Sequence, residues 1–195
     1  IQLAGVSNIC LRENNGVQIS SFFNYAQKLK GLQLAMFNIS DTVESGLPIG
    51  FFSYVRKGYH VVELSSDEVF YTNASFKTGV NKFYNIFGMG WGTSNTAHFT
   101  YGVGFLKKIN LKQSVSFDFI HSLVTDRENN HESVGSIIKF KPAYNYSFHK
   151  HFTVYVSPCL NTFITANNSK KRKILLSILF GSKPIQMVKF RCGPD

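Results

Sequence analysis

Charge is scarce in this 195-residue chain: Asp, Glu, Lys and Arg make up 16% of it, against about 25% in ordinary soluble domains. Long apolar runs are missing too. The longest, Ile174-Leu175-Leu176 and Ile178-Leu179-Phe180, is broken by Ser177. A helical membrane span needs about 20 consecutive apolar residues, so that class is excluded. Cysteine is limited to Cys10, Cys159 and Cys192, far apart and without a C-x-x-C pair. An odd, dispersed set gives neither a disulfide framework nor a zinc site, and buried thiols are the expectation. No G-x-S-x-G occurs. The glycines of Gly88-Met89-Gly90-Trp91-Gly92 and Gly102-Val103-Gly104 precede no helix, so they read as strand-bending or close-packing positions. The pair in His149-Lys150-His151 has no third ligand nearby and reads as a solvated turn. No cofactor and no catalytic set is expected.

Aromatics are abundant, with 19 Phe and 9 Tyr but a single Trp. Net charge is +10. That balance suits anionic lipid, an acidic polymer or nucleic acid. The basic residues are spread along the chain, with one dense cluster at Lys170-Lys171-Arg172-Lys173 that reads as a turn flank. Nucleic acid has only the net charge behind it, because alternation already explains the interleaved aromatics.

The first 60 residues repeat. The segments IQLAGVSN from Ile1, VQISSFFN from Val17, LQLAMFN from Leu32 and LPIGFFS from Leu47 align at spacings of 16, 15 and 15. Gln2, Gln18 and Gln33 recur, with Pro48 in the fourth copy. Beside them runs an aliphatic column, Leu3, Ile19, Leu34 and Ile49, then the small residues Ala4, Ser20, Ala35 and Gly50. Large residues follow (Val6, Phe22, Phe37, Phe52), and Asn8, Asn24, Asn38 or Ser53 closes each unit. A unit this short cannot be a helical pair. It fits one rung of a β-solenoid stacked at the ~4.8 Å strand spacing, with aliphatic residues burying one another. The Gln and Asn columns are expected to be structural hydrogen-bonded ladders. A chain of hairpins is the competing reading of the same length.

After Tyr59 the period becomes two. Phe99, Tyr101, Val103 and Phe105 oppose His98, Thr100, Gly102 and Gly104. Ile138, Phe140, Pro142, Tyr144, Tyr146 and Phe148 oppose Lys139, Lys141, Ala143, Asn145 and Ser147. Phe152, Val154, Val156 and Leu160 oppose Thr153, Tyr155, Ser157 and Asn161, and Phe70, Ala74 and Phe76 are grouped against Tyr71, Asn73 and Ser75. Many of these strands reach ten residues, the length of a membrane-crossing strand rather than of the ~5–6-residue soluble average. Short links near 107–110 and 149–151 alternate with a long polar one from Thr125 to Glu132. That asymmetry belongs to outer-membrane barrels, and Phe105, Phe148 and Phe152 would form an interfacial girdle. Asp118, Lys139 and Lys141 on polar faces predict a lumenal charge network.

The core Gly31-Leu32-Gln33-Leu34-Ala35 with Phe37-Asn38, the stretch from Leu47 to His60, and Asp67 to Asn73 resemble a family of surface repeat-containing proteins of Bacteroidota. The resemblance implies an outer-membrane or cell-surface protein without catalytic residues, in contact with lipid bilayer or lipopolysaccharide and possible protein partners of the envelope. The reading is therefore all-β: a solenoid-like stack over 1–60, then an antiparallel up-and-down barrel-like sheet over 61–195, incomplete at its C-terminus, in a chain lacking its leader. The function expected is non-enzymatic, structural or interactive. The alternative is a soluble all-β module holding a small apolar ligand.

Overall fold

Each repeat folds into two short strands joined by a tight corner, because its polar and apolar residues alternate on either side of a small residue. In the computed structural model, which describes residues 1–66, 70–92, 96–126, 133–149, 151–164, 174–177 and 187–191, every regular element is a strand. Lys170 to Lys173, Cys192 and most of the long links lie outside the described residues.

The repeats give β1 (Gln2–Ala4), β2 (Ser7–Asn14), β3 (Val17–Ser20), β4 (Phe23–Leu29), β5 (Leu32–Leu34), β6 (Phe37–Val43), β7 (Leu47–Ile49) and β8 (Phe52–Val55). Odd-numbered strands form one parallel sheet and even-numbered strands a second. Gln2, Gln18, Gln33 and Pro48 pair in register, as do Asn8, Asn24, Asn38 and Ser53. Parallel pairing settles the repeats as stacked rungs rather than hairpins.

Two details differ from the sequence expectation. The aliphatic column does not fill the core. Gln18, Gln33, Asn24 and Asn38 are fully buried, whereas Leu3 is 72% and Ile19 37% exposed. Adjacent residues of a strand face opposite ways, so amides inside put the aliphatics outside. In addition, Phe23 rather than Phe22 pairs with Phe37 and Ser7. The first and second rungs each have one residue more in this corner than the third and fourth; even so, the Phe22 ring meets Phe37 edge-on at 5.2 Å, and Phe37 lies 6.4 Å from Phe52. Rung contact is closest at Gly31, where an added Cβ would sit 1.8 Å from the Gly16 carbonyl oxygen.

The second region contains β9 (Tyr59–Ser65), β10 (Phe70–Val80), β11 (Phe83–Gly92), β12 (Thr96–Lys108), β13 (Gln113–Asp126), β14 (Ser133–His149), β15 (Phe152–Val156), β16 (Leu160–Ile164), β17 (Ile174–Ser177) and β18 (Met187–Arg191). They form one curled antiparallel sheet in the order β13-β12-β11-β10-β9-β18-β15-β14-β16-β17. β13 also pairs with β14, so the order of neighbours returns on itself. β15 and β16 line the same edge of β14 as one interrupted strand: Tyr144 faces Val156 and Phe140 faces Leu160. The gap at 157–159 falls opposite Pro142 and contains Pro158. Neither proline has an N–H for the ladder, and Ser157 Oγ donates instead to the Pro142 carbonyl at 2.5 Å.

Chain contacts divide the molecule into two units, the first built mainly from Ile1–Val61 and Lys77–Asn85, the second from Val62–Phe76 and Ile86–Phe190. In the first, Asn85 Oδ1 accepts from the Ser53 N–H at 3.0 Å and Asn85 Nδ2 donates to the Gly50 carbonyl at 2.9 Å. The β10–β11 turn uses Gly79 at φ 142°, a conformation that favours glycine. Cys10 and Cys159 are half-buried rather than buried. Phe70 and Phe76 do not share a face: Phe70 is 1% and Phe76 36% exposed.

Candidate functional site

Along the long strands the usual polarity of burial is inverted. Among the described residues of the chain, 22 polar or charged residues are buried against 12 apolar ones. In the second unit the buried face carries His98, Thr100, Ser116, Asp118, Ser122, Lys139, Lys141, Asn145 and Asn161. The opposite face exposes Phe99, Phe105, Phe119, Leu123, Ile138, Tyr144, Phe148, Phe152, Val156 and Leu160. Rings run across that outer face from strand to strand: Phe105 stacks on Phe117 at 5.0 Å, and Phe119 tilts against Phe140 at 4.7 Å. Inside, neighbouring strands satisfy one another. Thr100 and Ser122 hydroxyls lie 3.0 Å apart, and Asn145 Nδ2 donates to Ser116 Oγ at 3.1 Å.

Within this interior sits a charged cluster. Lys141 on β14 donates from Nζ to Glu63 Oε1 on β9 at 2.6 Å and to the Tyr155 hydroxyl on β15 at 2.7 Å. Tyr155 donates to the same Glu63 oxygen. The Lys141 ammonium also lies 4.6 Å from the Tyr155 ring centre. Asp118 on β13 is fully buried and directly opposite Lys141 in register. Lys139 stands two residues away, its Nζ 5.0 Å from the Phe70 ring, which packs on His98 at 3.7 Å. A buried ion pair needs further hydrogen bonds at its ends; Tyr155 bonds both Lys141 Nζ and Glu63 Oε1, while Glu63 Oε2 is buried with no hydrogen bond among the described residues. The cluster bonds β9 to β14 and β15, strands far apart in sequence.

The sequence-predicted trio Asp118, Lys139 and Lys141 thus shares one buried face. The two members that sequence reasoning missed are Glu63 and Tyr155. Both leave a trace: Glu63 interrupts Val61-Val62-Leu64, and Tyr155 occupies the polar side of its strand. Nothing local, however, pairs residues 78 and 92 positions apart.

The repeat ladder is equally direct. Gln33 Nε2 donates to Gln18 Oε1 at 2.8 Å, and Gln18 Nε2 to Gln2 Oε1 at 2.6 Å. The asparagines run the other way, Asn8 Nδ2 to Asn24 Oδ1 at 3.1 Å and Asn24 Nδ2 to Asn38 Oδ1 at 3.2 Å. On the outside an open groove of about 530 Å³ crosses all four rungs from Arg12 to Arg56 and Lys57. Of its lining charges Lys28 meets Glu13 at 3.3 Å, and alongside Lys30 meets Glu13 at 2.8 Å and Lys28 meets Glu44 at 2.6 Å. Hydrogen bonds from Lys30 and Lys28 hold the Glu13 and Glu44 carboxyls below their ordinary range and raise the lysines in turn.

The histidines are scattered. His60 bonds the Val55 carbonyl at 2.6 Å, His98 packs on Phe70, His121 is exposed between Phe119 and Leu123, and His149 and His151 share a turn. Among the described residues no group of three or more His, Cys, Asp or Glu is placed to hold a metal. Compared with protein-family models, curated proteins and solved structures, the chain matches none.

Proposed function

We propose that this chain is a bacterial cell-envelope protein whose long-stranded sheet spans the outer membrane as a small β-barrel, with a structural or interaction role and no catalysis. The observation that carries the reading is the inverted burial of the second unit: Glu63, Asp118, Lys139 and Lys141 inside, a mainly aromatic and aliphatic surface outside, interrupted by His121. Exposing such a surface to water is costly, and a soluble protein rarely exposes contiguous apolar area of that extent. Lipid favours it, and requires that a sheet leave no open edge. The neighbour order that returns on itself supports closure through eight strands, β9 to β15 with β18, the smallest size of such barrels. The outward run from Ile138 to Phe148 spans roughly 25 Å of height at ordinary strand rise and tilt, the height of the apolar band in such barrels. Among the described residues no helix is long and apolar enough to cross a membrane, so strands are the crossing elements in this reading. The resemblance of the repeats to envelope repeat proteins points the same way.

A soluble module with an apolar ligand finds less support, since charge and amides line the buried face of the sheet. The test is fractionation of cells producing the native protein, with heated and unheated electrophoresis lanes compared. Recovery in the outer membrane with a heat-dependent mobility shift is the expected result. Recovery as a soluble monomer without detergent would discard the membrane reading.

A further inference from the structure

The long-stranded sheet ends, on the side of its short turns, in a rim of unusual composition. The β12–β13 and β14–β15 turns lie side by side there. Gln113 pairs with Tyr146, and the Ser147 N–H donates to the Lys112 carbonyl at 2.8 Å. Lys107, Lys108, Lys112, His149 and His151 are all exposed on this rim. Neither 105–117 nor 144–156 contains an Asp or Glu.

Apolar side chains stand within a residue or two of these basic residues. Phe148 is 68%, Phe152 47% and Phe105 44% exposed, on the outward face flanking the turns. At the tip, Ile109 is 54% exposed and Leu111 fully so. Exposed lysines beside exposed aromatic and aliphatic groups fit a surface that is anionic at one depth and hydrocarbon just below. A free phosphate would satisfy the lysines and leave Phe148, Phe152 and Leu111 in water. Lysine stems lie along apolar surface while their ammonium heads reach the headgroup layer.

Resting on the membrane reading above, we infer that this rim docks on anionic glycerophospholipid headgroups. Short turns of outer-membrane barrels face the periplasm, and that leaflet is made of phospholipid. Clustered lysines near an anionic bilayer each add attraction that falls off within a Debye length. The rim thus sets the depth and direction of the sheet in the membrane.

The experiment folds the full chain from denaturant into vesicles of phosphatidylcholine alone and of phosphatidylcholine mixed with phosphatidylglycerol, at low and high salt, and reads the heat-resistant folded band. The expected result is a several-fold faster and fuller insertion with phosphatidylglycerol, shrinking at high salt. The K107Q/K108Q/K112Q variant loses that advantage and still folds in neutral vesicles like the parent. The R12Q/R56Q/K57Q variant, which removes as many charges from the repeats, keeps it. Equal insertion into both vesicles or an advantage retained by the rim variant would overturn the rim assignment while leaving the barrel reading intact. No heat-resistant band in any vesicle would overturn both.

Discussion

The repeat stack and the long-stranded sheet both bury polar side chains, but they satisfy them in opposite ways. In the stack, neutral amides bond to their own kind one rung away, Gln33 to Gln18 and Asn24 to Asn38. In the sheet, one cluster of unlike groups, Glu63, Lys141 and Tyr155, draws from three strands. Ladders distribute the cost of burial over many weak, interchangeable bonds. A charged cluster concentrates it, because an ion left alone in a low-dielectric interior costs far more than an amide left alone. The contrast says where each region should break.

The cluster should break hardest. Lys141→Met leaves the Glu63 carboxylate buried with only the Tyr155 hydroxyl of this trio, and should cost about 3–5 kcal/mol, as loss of one partner of a buried pair does. Glu63→Leu combined with Lys141→Met should recover most of that loss. Urea titration of the protein folded in vesicles measures both. If the double variant is as unstable as the single, the cluster acts through something other than its charges.

In the ladder the effect should be smaller and graded by position. Gln33 donates to Gln18 and accepts from the Ser40 hydroxyl at 2.9 Å. Gln33→Leu therefore strands two buried groups and should cost about 1–3 kcal/mol. Gln2→Leu, at an exposed position of the first rung, should fall within about 0.5 kcal/mol of the parent. Equal effects at the two positions would mean that the amides stack without cooperating, and the distinction between ladder and cluster would lose its basis.

These differences also decide what was legible from sequence. The rung register could be read because the partners sit 14 to 16 residues apart in repeated words, so the alignment that reveals the repeat also names the bonded pairs. Which column faces inward could not: Gln33 and Leu34 are neighbours on opposite faces, and hydropathy favours the wrong one. Alternation placed Lys139, Lys141 and Tyr155 on one side of their strands, since a period of two needs no tertiary knowledge. It failed for Phe70 and Phe76, because a strand that changes parity between them carries no mark of it. Glu63 was invisible as a partner of Lys141, since strand order is set by long-range pairing and not by local pattern. The gap opposite Pro142 was readable only in hindsight, from two prolines meeting across strands.

The smallest effect belongs to the solvent-facing charges of the stack, and its pH dependence separates them from the buried ladder beneath. Glu13 sits below its ordinary carboxyl value of 4.5 chiefly through the hydrogen bond from Lys30, and Glu44 through that from Lys28. A carboxyl depressed by folding stabilises the fold above about pH 4.5 and loses that contribution as pH falls through the lowered folded value. Lys28 and Lys30 are raised above 10.5, chiefly by the bonds to Glu44 and Glu13 respectively, so their contribution holds below that pH and disappears as pH rises through the raised value. The repeat region should accordingly show a broad plateau of stability between the two limits, with shallow falls at both ends. All four groups face solvent, so the falls should be slight and should flatten further in high salt. The neutral amides carry no such dependence: with Lys28→Gln and Lys30→Gln introduced together, urea midpoints followed across pH should lose most of the acid-side slope while the Gln33→Leu penalty stays the same. A slope that survives that pair of changes would move the titrating groups out of the rung column.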